Sequence, residues 1–194
     1  MLSNGLEAKV GTLGSKYEFF HEWKRLKESD AGRVELETML RGICEKKTFL
    51  DLLENFILYD HSGGHTTKIL ARNHQYLGVN EAVSAYENRK LKDGRLGVFW
   101  HTQGSGKSYS MVFLAQKIRR KFAGSPTIVV LTDRDELNRQ ISDTFENCGL
   151  LGKTKASQFI ASSGTDLVKK LRGNPSFVFT LIQKFNLPKE PPIY

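Results

Sequence analysis

Hydrophobic positions recur at helical spacing over residues 34–56, and this pattern predicts a small helical segment. Gly42 and the basic pair Lys46 and Lys47 interrupt it, which predicts two short helices rather than one. The apolar positions are Val34, Leu36, Met39, Leu40, Ile43, Phe49, Leu50, Leu52, Leu53 and Phe56. Residues 1–33 show little periodicity and are predicted to be a flexible lead-in or linker.

A hairpin pattern follows the helical segment. Two apolar stretches, FILYD and HTTKILA, flank the sequence HSGG, and Ser62, Gly63 and Gly64 supply typical turn residues. Residues 34–71 are therefore predicted to be a helical segment plus a β-hairpin that precedes the main lobe.

From residue 72 to residue 194, apolar strands alternate with helical patterns. Helices are predicted over residues 79–90, 110–122 and 133–145 and near 166–171, and strands at GVFW (97–100), TIVVLT (127–132) and FVFTLI (177–182). The first of these helices would bury Val79, Ala82, Val83 and Tyr86. The helix over 133–145 would be capped by Asp133 or Asp135 and would bury Ile141 and Phe145. This alternation predicts an α/β fold with a mostly parallel sheet covered on both faces.

Composition and charge narrow the class of protein. The 194 residues are 39 % hydrophobic and 26 % charged, as in a folded domain rather than a disordered chain. The formal charge of +8 suits a polyanionic partner, although many basic domains bind no nucleic acid. Cys44 and Cys148 have no metal-ligand spacing, and reduced thiols are expected. No apolar run suits a membrane span or a secretory signal, so we expect a cytoplasmic location and no membrane partner.

The string GVFWHTQGSGKS carries the clearest chemistry. A short apolar strand leads into a glycine-rich turn and then into a helix, the context that a phosphate-binding P-loop requires. Gly104 and Gly106 would let the backbone approach phosphate oxygens, and N–H groups of residues 103–108 would form an anion nest. Lys107 would reach the β- and γ-phosphates of ATP, and Ser108 would offer its hydroxyl to Mg²⁺.

The candidate phosphate-binding residues are Thr102, Gln103, Gly104, Ser105, Gly106, Lys107 and Ser108. His101 stands where the full P-loop pattern has its first glycine. The alternative to a P-loop is a tight glycine turn with a solvated lysine.

Gln75 is a candidate for base recognition. A glutamine amide can donate and accept at once, which matches the N6/N7 edge of adenine. Arg72 or Tyr76 could flank the base. The alternative is an ordinary surface glutamine.

Polar residues at two strand ends are candidates for contact with nucleic acid. Thr132 and Arg134 follow one predicted strand, whereas Thr180 and Lys184 lie at the end of the next and would share its edge. The alternative for the first pair is a helix N-cap with a solvated arginine. The basic strip Lys117, Arg119, Arg120 and Lys121 is expected to be a solvated helix face, and His61, His65 and His74 to be surface residues rather than metal ligands.

Four motifs in order resemble the motor subunit (R, or restriction, subunit) of type I restriction–modification enzymes, within the superfamily 2 helicases. The segment FILYD…KILARNHQYLGVNEAV resembles the stretch before the motor, and FWHTQGSGKS resembles motif I. VVLTDRDELNRQ is similar to motif Ia, and FTLIQKF to the stretch before the Walker B motif.

The resemblance implies a first RecA-like lobe that binds ATP and Mg²⁺ through Gly104, Gly106, Lys107 and Ser108. It implies adenine recognition by Gln75 and a DNA-backbone contact by Thr132 and Arg134. For the whole enzyme it implies ATP-driven translocation on double-stranded DNA, cleavage, and partners that supply DNA specificity and methylation.

The family's Asp-Glu-x-His motif would follow the strand that ends at Ile182, and no such motif occurs up to Tyr194. The second RecA-like lobe and the nuclease motif are also not found in this sequence. These residues alone are therefore expected to bind nucleotide but to hydrolyse it poorly. Two alternatives stay open, a small-molecule kinase with a P-loop and a non-catalytic basic DNA-binding module.

Overall fold

The computed structural model describes residues 1–185, which form two compact units. The first unit is residues 1–118, and the second begins at residue 119. Among the described residues, no helix combines the length and the hydrophobicity needed to cross a bilayer.

The N-terminal segment contains packed structure that its weak periodicity did not predict. Strands β1 (Leu2–Ser3) and β2 (Ala8–Lys9) pair antiparallel, and Val10 pairs with His21. Trp23 is only 2 % exposed. This packing contradicts a lead-in that is flexible throughout, because a buried indole fixes the backbone around it. The domain boundary at residue 33 stays a prediction.

Two short helices follow, as predicted: α1 (Leu36–Ile43) and α2 (Lys46–Asn55). Glu45 caps α2 by accepting a hydrogen bond from the Thr48 N–H. Gly42 does not separate the helices but lies within α1, where an added Cβ would clash with Trp23 Nε1. Of the predicted apolar positions, Met39, Ile43, Leu52 and Phe56 are buried, and Leu40, Phe49, Leu50 and Leu53 are exposed.

The hairpin prediction is confirmed by antiparallel strands β3 (Ile57–Asp60) and β4 (Thr67–Leu70), joined through a 3-10 turn at Ser62–Gly64. Helix α3 (Asn73–Glu87) then begins earlier than predicted, and a 3-10 turn at Arg89–Lys92 follows it. The early start arises because the Gln75 side chain accepts a hydrogen bond from the Arg72 N–H at 2.9 Å, which caps the first turn.

The predicted strand at GVFW is wrong. Residues 95–100 have no regular structure, and Val98 and Trp100 are 94 % and 77 % exposed. A strand requires hydrogen bonds from a neighbour, and no strand of the described residues pairs with this run. The helix after it forms as predicted, as α4 (Lys107–Lys121).

The second unit contains a small parallel sheet of β5 (Ile128–Thr132) and β6 (Phe177–Leu181), so the parallel pairing is confirmed. Helices α5 (Asp135–Asn147) and α6 (Gly164–Arg172) and 3-10 turns at Ala156–Gln158 and Ile182–Phe185 complete its described part. The chain thus has a mixed helix and strand fold.

The core of this unit packs on one side of β5 only. Phe145 of α5 meets the rings of Phe177 and Phe179 edge-on, at centroid distances of 5.4 and 5.3 Å. Strand β6 is buried almost throughout, but Val129 and Leu131 of β5 are 41 % and 47 % exposed. Within the described residues, the expectation of a sheet covered on both faces is therefore wrong for β5.

Candidate nucleotide-binding site

The loop before α4 has the backbone geometry of an anion site. Gly104 and Gly106 have φ values of +77° and +83°, in the left-handed region that favours glycine. Bonding within the helix begins with the Ser110 N–H, which donates to the Gly106 carbonyl at 3.1 Å. The N–H groups of the first two helical residues, 107 and 108, therefore have no helix carbonyl to bond and can attract an anion.

The ammonium group of Lys107 lies on the loop itself. Its Nζ donates to the carbonyls of His101 and Thr102 at 2.8 and 2.9 Å. The Ser105 N–H also turns inward, donating to the Thr102 carbonyl at 3.3 Å. The predicted continuous run of free N–H groups over residues 103–108 is therefore interrupted at Ser105.

Gln75 lies directly against this loop and is only 3 % exposed, which excludes the alternative of a surface glutamine. Its Nε2 donates to the Gly106 carbonyl at 2.9 Å, while its Oε1 accepts from the Arg72 N–H. His74 Nε2 lies 3.0 Å from the Ser105 carbonyl. The first turn of α3 thus holds the loop through two side chains.

The two candidates for flanking a base differ in their positions. The Tyr76 ring packs against Trp23 and Phe56 at centroid distances of 5.4 and 4.7 Å, so it belongs to the core of the first unit. Arg72 is exposed and lines a cavity beside the loop. Of the two, only Arg72 remains a candidate for contact with a base.

The hairpin is tied to the first turn of α4 by a contact that the sequence analysis missed. The Tyr109 hydroxyl donates to Asp60 Oδ2 at 2.5 Å, and the Ser62 N–H donates to Asp60 Oδ1 at 2.8 Å. Burial raises the pKa of Asp60, but these hydrogen bonds outweigh it and leave that pKa below its usual value. Asp60 is therefore an ionised anchor. An aspartate at the end of a strand, just before a glycine turn, was the available sequence signal.

His101 occupies the position of the first P-loop glycine and is part of an aromatic cluster. Its ring meets those of His74 and Phe99 edge-on at 4.7 and 4.4 Å. Burial lowers the pKa of His101, and His74 and Lys107 lower it further, against an opposing effect of Glu28. At neutral pH His101 is therefore uncharged beside the Lys107 ammonium.

The prediction of a solvated basic face on α4 is wrong for Lys117. Its side chain is buried, and its Nζ bonds both carboxylate oxygens of Asp51 and the Asn80 Oδ1 at 2.6 Å. The cause is a carboxylate on α2 and an amide on α3 that replace the lost hydration. Arg119 is exposed as expected and lies 5.1 Å from the centre of the Phe177 ring.

In the second unit, Thr132 and Arg134 lie at the carboxyl end of β5. Thr132 is 8 % exposed, and its hydroxyl donates to the Arg134 carbonyl at 3.4 Å. The Arg134 side chain is 81 % exposed and lies 3.5 Å from Asp133. Arg134 is also the N-cap residue of α5, so the prediction of Asp133 or Asp135 as the cap is wrong; no side chain caps the helix.

The second predicted pair for nucleic acid lies at the end of β6. Thr180 is fully buried, and the Lys184 ammonium donates to the Ala161 carbonyl. Gln183 Nε2 donates to the Asp133 carbonyl at 3.1 Å, so the ends of β5 and β6 do share one edge. The burial of Thr132 and Thr180 counts against a DNA contact by either hydroxyl, which leaves Arg134 as the exposed candidate.

The loop fits a polyanionic ligand better than a metal ion held by protein alone. The Ser105 hydroxyl is buried and has no hydrogen-bond partner among residues 1–185, and it lies between two left-handed glycines. Ser108, the predicted Mg²⁺ ligand, is half-buried in the first turn of α4. In the described part of the chain, no three His, Cys, Asp or Glu side chains cluster as a metal site would require. Any Mg²⁺ would therefore enter with phosphate oxygens as further ligands.

The left-handed glycines, Lys107 and the start of α4 are features of P-loop proteins, whereas the described residues contain no strand leading into the loop. The chain belongs to the SWI2/SNF2 ATPase family, whose sequence profile matches residues 74–193.

Relatives extend the similarity over almost the whole chain. The type I restriction enzyme HindI endonuclease subunit of Haemophilus influenzae is 37 % identical over 98 % of the chain. The putative type I restriction enzyme MjaIXP endonuclease subunit of Methanocaldococcus jannaschii is 30 % identical over 95 % of it. The resemblance to type I restriction subunits is thereby confirmed. The chain spans 19 % of the length of each of these two relatives.

Proposed function

We propose that this chain is the ATP-binding part of a motor subunit of a type I restriction endonuclease, within a RecA-like lobe. The whole protein would translocate double-stranded DNA with ATP and Mg²⁺ and cleave it, together with subunits for DNA specificity and methylation. The observation that carries the proposal is the hydrogen bond from Gln75 to the Gly106 carbonyl. It joins a residue suited to adenine to a loop suited to phosphates.

The phosphate chain would be held by the loop and the start of α4. The N–H groups of residues 107 and 108 would supply donors, and the Ser105 hydroxyl would gain the partner that it lacks among the described residues. Lys107 would exchange its bonds to the His101 and Thr102 carbonyls for phosphate oxygens. Ser108 would hold Mg²⁺, which neutralises charge on the β- and γ-phosphates when it is bound.

Gln75 can bind adenine while it keeps its hydrogen bonds within the protein. One of the two hydrogens on Nε2 is donated to the Gly106 carbonyl, and one lone pair of Oε1 accepts from the Arg72 N–H. An amide has two N–H donors and two acceptor sites on its oxygen, so one of each remains. This pair complements adenine N7 and the 6-amino group.

A contact with the DNA backbone is proposed for Arg134. Its guanidinium is exposed at the carboxyl edge of β5, and its nearby carboxylate, Asp133, is itself mostly exposed. A pair of this kind exchanges readily for a phosphate, because exposed ion pairs contribute little free energy.

Calorimetric titration with Mg²⁺ and ATP tests nucleotide binding. We expect Lys107→Ala to weaken ATP binding about tenfold or more, since a charge-assisted phosphate contact is lost. Lys90→Ala removes the same charge from an exposed position and serves as the control. Unchanged affinity in Lys107→Ala would contradict the proposal and favour a basic DNA-binding module, particularly if salt-dependent DNA binding persisted.

The whole protein tests the motor function. ATP hydrolysis stimulated by duplex DNA is the expected result. Phosphoryl transfer to a small molecule, without any effect of DNA, would instead identify a kinase.

A further inference from the structure

A cavity of about 750 Å³ lies beside the P-loop, within the first unit. Its first wall is the N-terminal turn, residues 11–16, and its second is the stretch over residues 65–70 that includes β4. Gln75 and the loop residues 104–106 form the third. This volume lies in the range of about 300–1,000 Å³ that is typical of small-molecule sites, so the space can hold a nucleoside.

The walls of the cavity are joined to one another. The Thr12 hydroxyl donates to the Lys68 carbonyl at 3.1 Å, which links the N-terminal turn to β4. The backbone of His21 pairs with that of Val10, at 2.8 and 2.9 Å. The N-terminal segment is therefore held in place as part of the cavity wall.

The lining is cationic. Lys16, Lys68 and Arg72 contribute to it, and no aspartate or glutamate does so among the described residues. A surface of this charge favours a ligand with phosphate groups, and the adjoining loop can take those groups.

Two buried polar atoms at the cavity lack hydrogen-bond partners in the described part of the chain: the Ser105 hydroxyl and His21 Nε2. Ser105 is nine-tenths buried. Buried polar atoms are almost always paired, so two orphans on one cavity indicate a ligand that supplies their partners.

His21 is neutral at physiological pH. Burial lowers its pKa, and the Arg72 guanidinium lowers it further, whereas the nearby backbone of Phe19 and Ala71 raises it. A neutral imidazole offers an acceptor nitrogen, and this suits a hydroxyl or amino donor.

We propose that the nucleoside half of the nucleotide, base and ribose, occupies this cavity, with His21 as a binding residue and the turn at 11–16 as a wall. This inference rests on the proposed function, since the phosphates must lie in the loop. It makes the N-terminal segment part of the nucleotide site. The ligand is a nucleoside triphosphate whose amino or hydroxyl group donates to His21 Nε2.

Comparing the binding of two ligands distinguishes nucleoside contacts from phosphate contacts. The ligands are ATP and inorganic tripolyphosphate, which has no nucleoside. His21→Phe keeps a ring but removes the acceptor, and we expect ATP to bind about fivefold more weakly. Thr67→Trp places a large side chain at an exposed position that lines the cavity, and it should weaken ATP binding about tenfold or more. Tripolyphosphate affinity should be unchanged in both variants. Tyr59→Trp, an exposed β3 position outside the cavity, is the control.

The outcomes distinguish the two proposals. If both variants bind ATP as the unmodified chain does, the cavity inference is overturned and the P-loop proposal stands. Equal losses for ATP and tripolyphosphate would also overturn it, because the effect would not belong to the nucleoside. If the unmodified chain binds neither ligand, both proposals fail. Thr67→Trp keeps the test decisive if His21→Phe does not fold.

Discussion

The side-chain amide of Gln75 donates a 2.9 Å hydrogen bond to the carbonyl of Gly106. Gln75 is the third residue of α3, and Gly106 immediately precedes α4. One buried side chain therefore fixes the position of the phosphate-binding loop relative to the helix before it. The same side chain retains one donor and one acceptor site for a base.

Gln75→Met tests this dual role. Methionine has a similar size but leaves the Arg72 N–H without its present partner, so we expect the free energy of unfolding to fall by about 1–3 kcal/mol. Preference for ATP over GTP should also be lost, because the methionine sulfur cannot act as an amide. Urea unfolding and calorimetry measure the two effects. Gln140→Met, on the exposed surface of α5, should change neither. A preserved ATP preference would exclude Gln75 from base recognition.

The two loop glycines should differ in their tolerance of a side chain. Both have positive φ, but a Cβ at Gly106 would lie 2.9 Å from Gln75 Nε2, whereas none of the atoms around Gly104 would be within 4 Å. In Gly104→Ala the free energy of unfolding should therefore fall by about 1 kcal/mol, from backbone strain alone. In Gly106→Ala it should fall further, because the Gln75 hydrogen bond must also shift. Equal unfolding midpoints in urea would contradict this expectation.

Local sequence patterns predicted those elements that depend on neighbours in the chain. The hairpin turn at Ser62–Gly64 and the helix at Lys107–Lys121 are examples, because turn chemistry and apolar periodicity act over a few residues. The run GVFW was mispredicted because a strand depends on a partner, which its own residues do not specify.

In the candidate site, too, local features were predictable from the sequence, and contacts between distant residues were not. Gln75 and the loop lie together, as the order of the motifs predicts, but no sequence pattern places His21 on the same cavity. That contact depends on the Val10–His21 pairing, between residues of weak periodicity. Likewise, local sequence does not predict the burial of Lys117, because its partner Asp51 is 66 positions away in sequence.

The Lys117–Asp51 ion pair should contribute strongly to the stability of the first unit. The two side chains are 9 % and 21 % exposed, and Asn80 supplies a further bond. Lys117→Met leaves the Asp51 carboxylate without its opposite charge, and we expect the free energy of unfolding to fall by about 3 kcal/mol. Arg41→Met breaks the Arg41–Glu37 pair, whose side chains are 68 % and 66 % exposed, and should cost about 0.5 kcal/mol or less. Urea unfolding compares them, and similar losses would argue against a buried, stabilising pair.

Stability should fall as the pH drops through the range where histidine titrates. The pKa values of His21 and His101 are below the ordinary 6.5, chiefly because of burial. The unfolded chain therefore binds more protons than the folded chain once the pH falls below about 7, so acid favours unfolding. The carboxyl groups of Asp30, Glu45 and Glu146, whose pKa values are lowered mainly by backbone hydrogen bonds, lose their contribution only at lower pH. We expect the urea midpoint to decrease between about pH 7.5 and pH 5.5, and to decrease less in His21→Phe, because one of the two titrating rings is gone. A midpoint that rises over this interval would show that these imidazoles are not held neutral by the fold.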